Sequence, residues 1–163
     1  MKRIFALLLC AAMLLSFAAC QSTAAEGEQQ QEEEEQTVQA TLYLPNENAD
    51  GFDTERVELA EDSPQALVDA LIERGALPEG TEVLGEFDRS AQTPTVDLSQ
   101  EFADAMASTG TTGESMLMGS LVNTFLYYYG IDSISVTAQG QVIETGHTEY
   151  SQPMGVFEME NAA

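Results

Sequence analysis

The segment from Glu114 to Tyr129 constrains the fold of this chain more than any other. Leu117, Leu121, Phe125 and Tyr128 recur on one stripe of a 3.6-residue period, and Met118, Val122, Leu126 and Tyr129 widen that stripe. A helix so apolar over so much of its circumference has to lie across a sheet and be covered on more than one side. Gly130 is placed to end it. Tyr127, Tyr128 and Tyr129 point about 100° apart around the axis, so they cannot form one stacking platform; two rings are expected in the core and one outside. The less apolar face, Met116, Ser120, Asn123 and Tyr127, is the candidate partner surface, with a plain solvated face as the alternative.

The rest of the pattern supplies the sheet. Val38, Ala40, Leu42 and Leu44 alternate with polar neighbours up to Pro45, Asn46 to Asp53 reads as a polar loop, and Glu55 to Leu59 is a second short strand. Ser63-Pro64 is a helix start, Leu67, Val68, Ala70, Leu71 and Ile72 keep helical spacing, and Gly75 closes the helix. Glu82 to Asp88 and Thr93 to Leu98 pair as a hairpin, and Ser99 caps a helix over Gln100 to Ala107. Gly110 to Gly113 reads as a break, and Ile134, Val136 and Ala138 form a strand that turns at Gln139-Gly140 into Gln141 to Glu144. These elements make an α+β class: one compact domain, residues 38–157, with a mixed sheet of short strands and two to three helices packed on it. Residues 158–163 read as a frayed tail.

Ahead of the domain, Met1-Lys2-Arg3 precedes an apolar run from Ile4 to Ala19, too short to span a bilayer comfortably. Phe17-Ala18-Ala19-Cys20 resembles the lipobox of bacterial lipoproteins, with Phe17 where Leu is usual. The resemblance implies a signal peptide over 1–19 and diacylglycerol on Cys20; ordinary signal-peptidase cleavage is the alternative. With its sulfur alkylated, Cys20 leaves the mature chain no thiol for a disulfide, a zinc site or a nucleophile. The fold must then rest on its apolar core.

Residues 20–37 are the anchor and its tether. Gln21 to Thr37 has no aliphatic residue larger than Ala and an unbroken Glu32 to Glu35 run, so it cannot bury enough surface to fold, and as a coil it spans roughly 20 to 25 Å. The formal net charge is −23, and it becomes two units more negative once Lys2 and Arg3 are removed, leaving Arg56, Arg74 and Arg89 as the side-chain cations. That balance excludes nucleic-acid binding and electrostatic adsorption to anionic lipid. Membrane attachment must come through acyl chains on Cys20, and two chains suffice at roughly 0.8 kcal/mol per buried methylene.

The strings PQALVDALIERG, PEGTEVLGEF, PTVDLSQEF, ESMLMGSLVNTFLYYYGIDSISVTAQGQ and GHTEYSQP resemble the GerMN domain family, associated with sporulation and spore germination, over Ala40 to about Pro153. Val96-Asp97-Leu98-Ser99 and Val122-Asn123-Thr124 carry much of that likeness; Arg74-Gly75 stands where Gly-Pro is frequent, and Phe125 interrupts a Thr-Leu-Thr pattern. The resemblance implies an α/β module displayed on the outer face of the cytoplasmic membrane, similar to ring-building domains of secretion machines and used for assembly rather than chemistry. Its partner would be an envelope protein or a second copy; the alternative is a ligand- or wall-binding lipoprotein.

No residue pattern argues for an active site. His147, the only histidine, lies in a loop flanked by Gly146 with no nucleophile motif in support, and reads as a surface residue. Asn46 to Gly51 resembles the first half of a calcium loop, but position twelve of that frame is Val57 rather than a closing Glu. Asp50, Asp53 and Glu55 remain a weak calcium candidate, and an Asn/Asp/Gly turn is the alternative. No enzymatic activity and no cofactor are expected.

Overall fold

A computed structural model describes residues 37–158. The signal segment, Cys20, the acidic tether through residue 36, and residues 159–163 of the expected tail lie outside the described residues. Strand β1 (Val38–Pro45) and β2 (Phe52–Leu59) form an antiparallel pair with Val38 opposite Leu59 and Pro45 opposite Phe52. Helix α1 (Pro64–Glu73) follows, then β3 (Val83–Leu84), β4 (Thr95–Leu98), α2 (Gln100–Ser108), α3 (Thr111–Tyr129), β5 (Ser135–Ala138) and β6 (Gln141–Val142). The mixed sheet is β3-β4-β5-β6, with β4 and β5 parallel across a crossover made by α2 and α3, and the other two pairs antiparallel. The first two strands do not join it but form a separate two-stranded sheet.

The local reasons are visible in the sequence. Ser63 Oγ accepts the Ala66 amide at 3.1 Å and Pro64 opens α1, while Gly75 takes φ 69° so that its own amide and that of Ala76 reach back to Ile72 and Leu71. Gly130 ends α3 in the same left-handed region at φ 63°, and the Gln139-Gly140 turn has φ 52° and 71°, the pair a two-residue hairpin demands. Gly110 to Gly113 is not a break: Gly110 is the extended residue before the helix, and α3 already runs from Thr111.

α3 is the spine. Met118, Leu121, Val122 and Phe125 are fully buried among Leu42 of β1, Leu67 and Leu71 of α1, Val96 and Leu98 of β4, Phe102 and Met106 of α2, and Val136 of β5. On the edge nearest α3, the Tyr43 amide of β1 donates to Thr124 Oγ1 at 3.0 Å, so the helix covers an otherwise open strand edge. Among the described residues no helix is long and apolar enough to cross a membrane.

Candidate functional site

The side chains with chemical potential are spent on joining segments. Asp97 Oδ1 accepts the Thr137 hydroxyl at 2.7 Å and the Gly140 amide at 2.8 Å, tying β4 to the turn after β5. Ser99 makes no side-chain cap for α2; its hydroxyl instead accepts the Glu82 amide and donates to the Gly80 carbonyl, fastening the segment before β3.

His147 is not simply a surface residue. Its ring Nδ1 lies 2.8 Å from Oε1 of Glu114, whose side chain is 1 % exposed, while the imidazole side chain is 51 % exposed. Thr145 Oγ1 donates to Glu114 Oε2 at 3.0 Å and accepts the His147 and Thr148 amides, so both carboxylate oxygens are satisfied from one tight loop. A carboxylate taken out of water needs such partners. The buried acid raises the Tyr150 phenol above its usual range, second to burial itself. Among the described residues no serine hydroxyl bonds the His147 ring. The acid and the histidine are brought together across 33 residues of chain, a link that spacing cannot show.

The expected partner face is mostly covered. Tyr127 is 62 % exposed, but Met116, Ser120 and Asn123 are 6 %, 0 % and 4 % exposed. Gly119 leaves a notch on the same side of α3. Phe52 at the start of β2 presses its ring into the space a Cβ would need, and Phe157 Cβ would sit 3.2 Å from it. Asn123 then clamps the covering segment: its Nδ2 donates to the Phe157 carbonyl at 3.1 Å and its Oδ1 accepts the Phe157 amide at 2.8 Å. The same segment is held upstream by the antiparallel pair of Met154 and Ile134. What stays open is a small cavity of about 150 Å³ bounded by Tyr43, Asn123, Leu126, Tyr127, Ile131 and Val156, with the Tyr43 and Tyr127 rings 5.9 Å apart. Tyr129 packs on Phe87 and Phe125, and Tyr128 meets Tyr129 edge-on, so the two rings expected in the core are partly buried against it.

Two of the three calcium-candidate carboxylates have other partners. Asp50 is tied to Asn46 through the Asn46 amide at 2.8 Å and its own backbone amide at 3.1 Å, and Glu55 is drawn away by Arg74 at 3.1 Å. Among the described residues no three His, Cys, Asp or Glu side chains, Asp50, Asp53 and Glu55 included, are placed to hold a metal ion. A wider open depression of about 600 Å³ lies between Glu61 to Gln65 and Gly85 to Asp88, with Glu61, Glu86 and Asp88 on its walls. Its Ser63 hydroxyl is engaged with Glu61 and Ala66.

The family described as Germane, sporulation and spore germination, matches residues 41–144. The chain belongs to that family. Its fold is that of GerMN domains: the first GerMN domain of the sporulation protein GerM from Bacillus subtilis superposes with a TM-score of 0.54 at 20 % identity, over 73 % of this chain and 98 % of that one. The tandem GerMN domains of the same protein give the same score and identity, with 46 % of that chain covered, as one GerMN unit against two would. A candidate lipoprotein from Clostridium perfringens aligns at 20 % identity over 73 % of this chain and 87 % of that one, with a TM-score of 0.44. None of the curated proteins matches the chain. The family match ends just past β6, so Glu149 to Phe157, which carries the covering segment, lies beyond it.

Proposed function

We propose that this chain is a lipid-anchored protein on the outer face of the cytoplasmic membrane, whose GerMN domain acts by associating with an envelope protein or with itself during sporulation or germination, without catalysis. Anchoring is supported by the apolar run that stops at Cys20, with an acidic spacer between it and Val38. The observation that carries the non-catalytic reading is the use of Asp97, Ser99, Asn123 and the Glu114–His147 pair as internal ties, each bonded to a distant segment.

The test is crosslinking in living cells at the developmental stage when the chain is made, with and without Cys20→Ser. The wild-type chain should fractionate with membrane and capture a protein partner or a second copy, and Cys20→Ser should release the folded domain. A Cys20→Ser chain that stays fully membrane-bound refutes the anchoring. A monomeric domain that captures no protein but binds wall fragments saturably replaces association with the wall-binding alternative.

A further inference from the structure

The segment Met154 to Glu158 sits on α3 in a way that ordinary core packing does not require. Asn123 pairs with both main-chain groups of Phe157, one rung of a ladder made by a side chain, and such contacts bind an extended backbone whatever its sequence. Beside that rung, the missing Cβ of Gly119 leaves room for the Phe52 ring and for the Phe157 Cβ, which would stand 3.2 Å from it. Backbone pairing at one point and a shaped recess for one side chain are the two elements of an extended-peptide site. The covering segment itself is held at Met154 and Phe157, while Val156 between them is 66 % exposed. It belongs to no strand of either sheet, so its departure breaks the Ile134–Met154 bridge but leaves every pair within the two sheets intact.

We infer that this face of α3 is a groove for an extended peptide, occupied here in cis by residues 154–158, and that its partner is an extended segment with an aromatic residue in the Phe157 position and basic residues flanking it. This rests on the reading of the domain as an association module. Charge selects that partner over a second copy. The chain carries 28 acidic residues against five Lys and Arg, and Arg74 is already paired with Glu55 and Glu73. The resident segment ends in Glu158, so a second copy would bring an acidic segment to a strongly acidic chain, whereas a basic segment gains long-range attraction to it. The open pair of Tyr43 and Tyr127 borders the groove next to Asn123, and there a Lys or Arg of the partner lies over an exposed ring face.

The resident segment taxes the apparent affinity by the fraction of molecules in which it is docked. The probe is a fluorescent, end-blocked peptide Lys-Gly-Val-Phe-Lys, titrated into the full chain and followed by anisotropy. Phe157→Gly in the full chain should bind it at least about tenfold more tightly than wild type, and adding Asn123→Ala should remove that binding. A Glu-flanked peptide, Glu-Gly-Val-Phe-Glu, should bind more weakly, by a margin that shrinks with salt. A folded Phe157→Gly chain that ignores the Lys-flanked peptide, or binding indifferent to Asn123→Ala, overturns the groove. If Phe157→Gly does not fold, amide exchange at Phe157 of the wild-type chain decides: peptide should accelerate it, and an unchanged rate at saturating peptide overturns the proposal. Capture of a partner in cells together with failure of these peptide measurements overturns the groove alone and leaves the association reading standing.

Discussion

His147→Ala removes one of the two partners of a carboxylate that the fold has taken out of water. Glu114 Oε1 loses its 2.8 Å contact with the imidazole, leaving the Thr145 hydroxyl at 3.0 Å on the other oxygen. A hydrogen bond to a charged group contributes roughly 1.5–3 kcal/mol, and breaking a fully buried pair costs about 3–5 kcal/mol. The lower range applies because half of the His147 side chain is exposed, so water can enter where the ring stood. We expect a loss of about 2 kcal/mol, which in a domain of this size lowers Tm by roughly 6–12 °C. Glu114→Gln, which keeps the shape and one acceptor while removing the charge, should cost less, about 1 kcal/mol. Urea unfolding of each variant, read as a shift in midpoint at constant slope, measures the difference. Amide exchange adds where it acts: Thr145 to Thr148 should exchange faster, while α1 and β1 are unchanged. A His147→Ala chain within about 0.5 kcal/mol of wild type refutes the clasp, since a surface substitution with no such duty has that effect.

Gly119→Ala tests the notch by a separate route. Helix propensity favours Ala by about 1 kcal/mol, overpacking against the Phe52 ring and Phe157 costs about 1–3 kcal/mol, and we expect a net destabilisation of about 1 kcal/mol in the urea midpoint; a stabilised variant shows that Phe52 does not hold its place. Burial, followed by the hydrogen bond to Asp62, pushes the Tyr128 phenol up to about 12, and burial raises Tyr129 and Tyr150 as well. Because the folded state keeps these protons while an unfolded tyrosine loses its proton near 10.0, their contribution is complete below that pH and is lost as pH climbs through 12; urea midpoints that stay flat over that interval contradict the assignment. Calcium added to the chain should give no calorimetric heat beyond that of matched ionic strength. Glu55→Gln should change stability by less than about 1 kcal/mol, the usual worth of an exposed ion pair such as Arg74–Glu55.

The elements were legible where one residue type has one local use. Ser63-Pro64, Gly75, Gly130 and Gln139-Gly140 mark a start, two ends and a turn, and all four do so in the fold. The apolar stripe of α3 likewise predicted its burial. What local pattern could not carry was pairing across the chain. β3 shrinks to Val83–Leu84 because its amide at Val83 is taken by the Gln65 side chain of α1, and the β1-β2 pair stands apart from the mixed sheet because α3 lies along the β1 edge. Glu114 reads as a first-turn acid favoured by the helix dipole, and only its meeting with the loop at Thr145 to His147 makes it a buried tie.

The Met116 to Asn123 face of α3 has a physical moral of its own. Met116, Gly119, Ser120 and Asn123 follow the i, i+3, i+4, i+7 spacing of a single helix side, which polarity alone leaves open to a partner or to water. Small residues on a helix also do the opposite: they let another backbone come close. Gly119 and Asn123, four residues apart, lie one above the other, so the recess and the amide that grips a main chain act on the same approaching segment. The covering residues 154–158 have no periodicity, because an extended segment recognised through its backbone needs none. The signal was therefore in the receiver. A glycine with an amide side chain four residues on, set between two apolar stripes of a helix, reads better as a seat for extended chain than as a face for water.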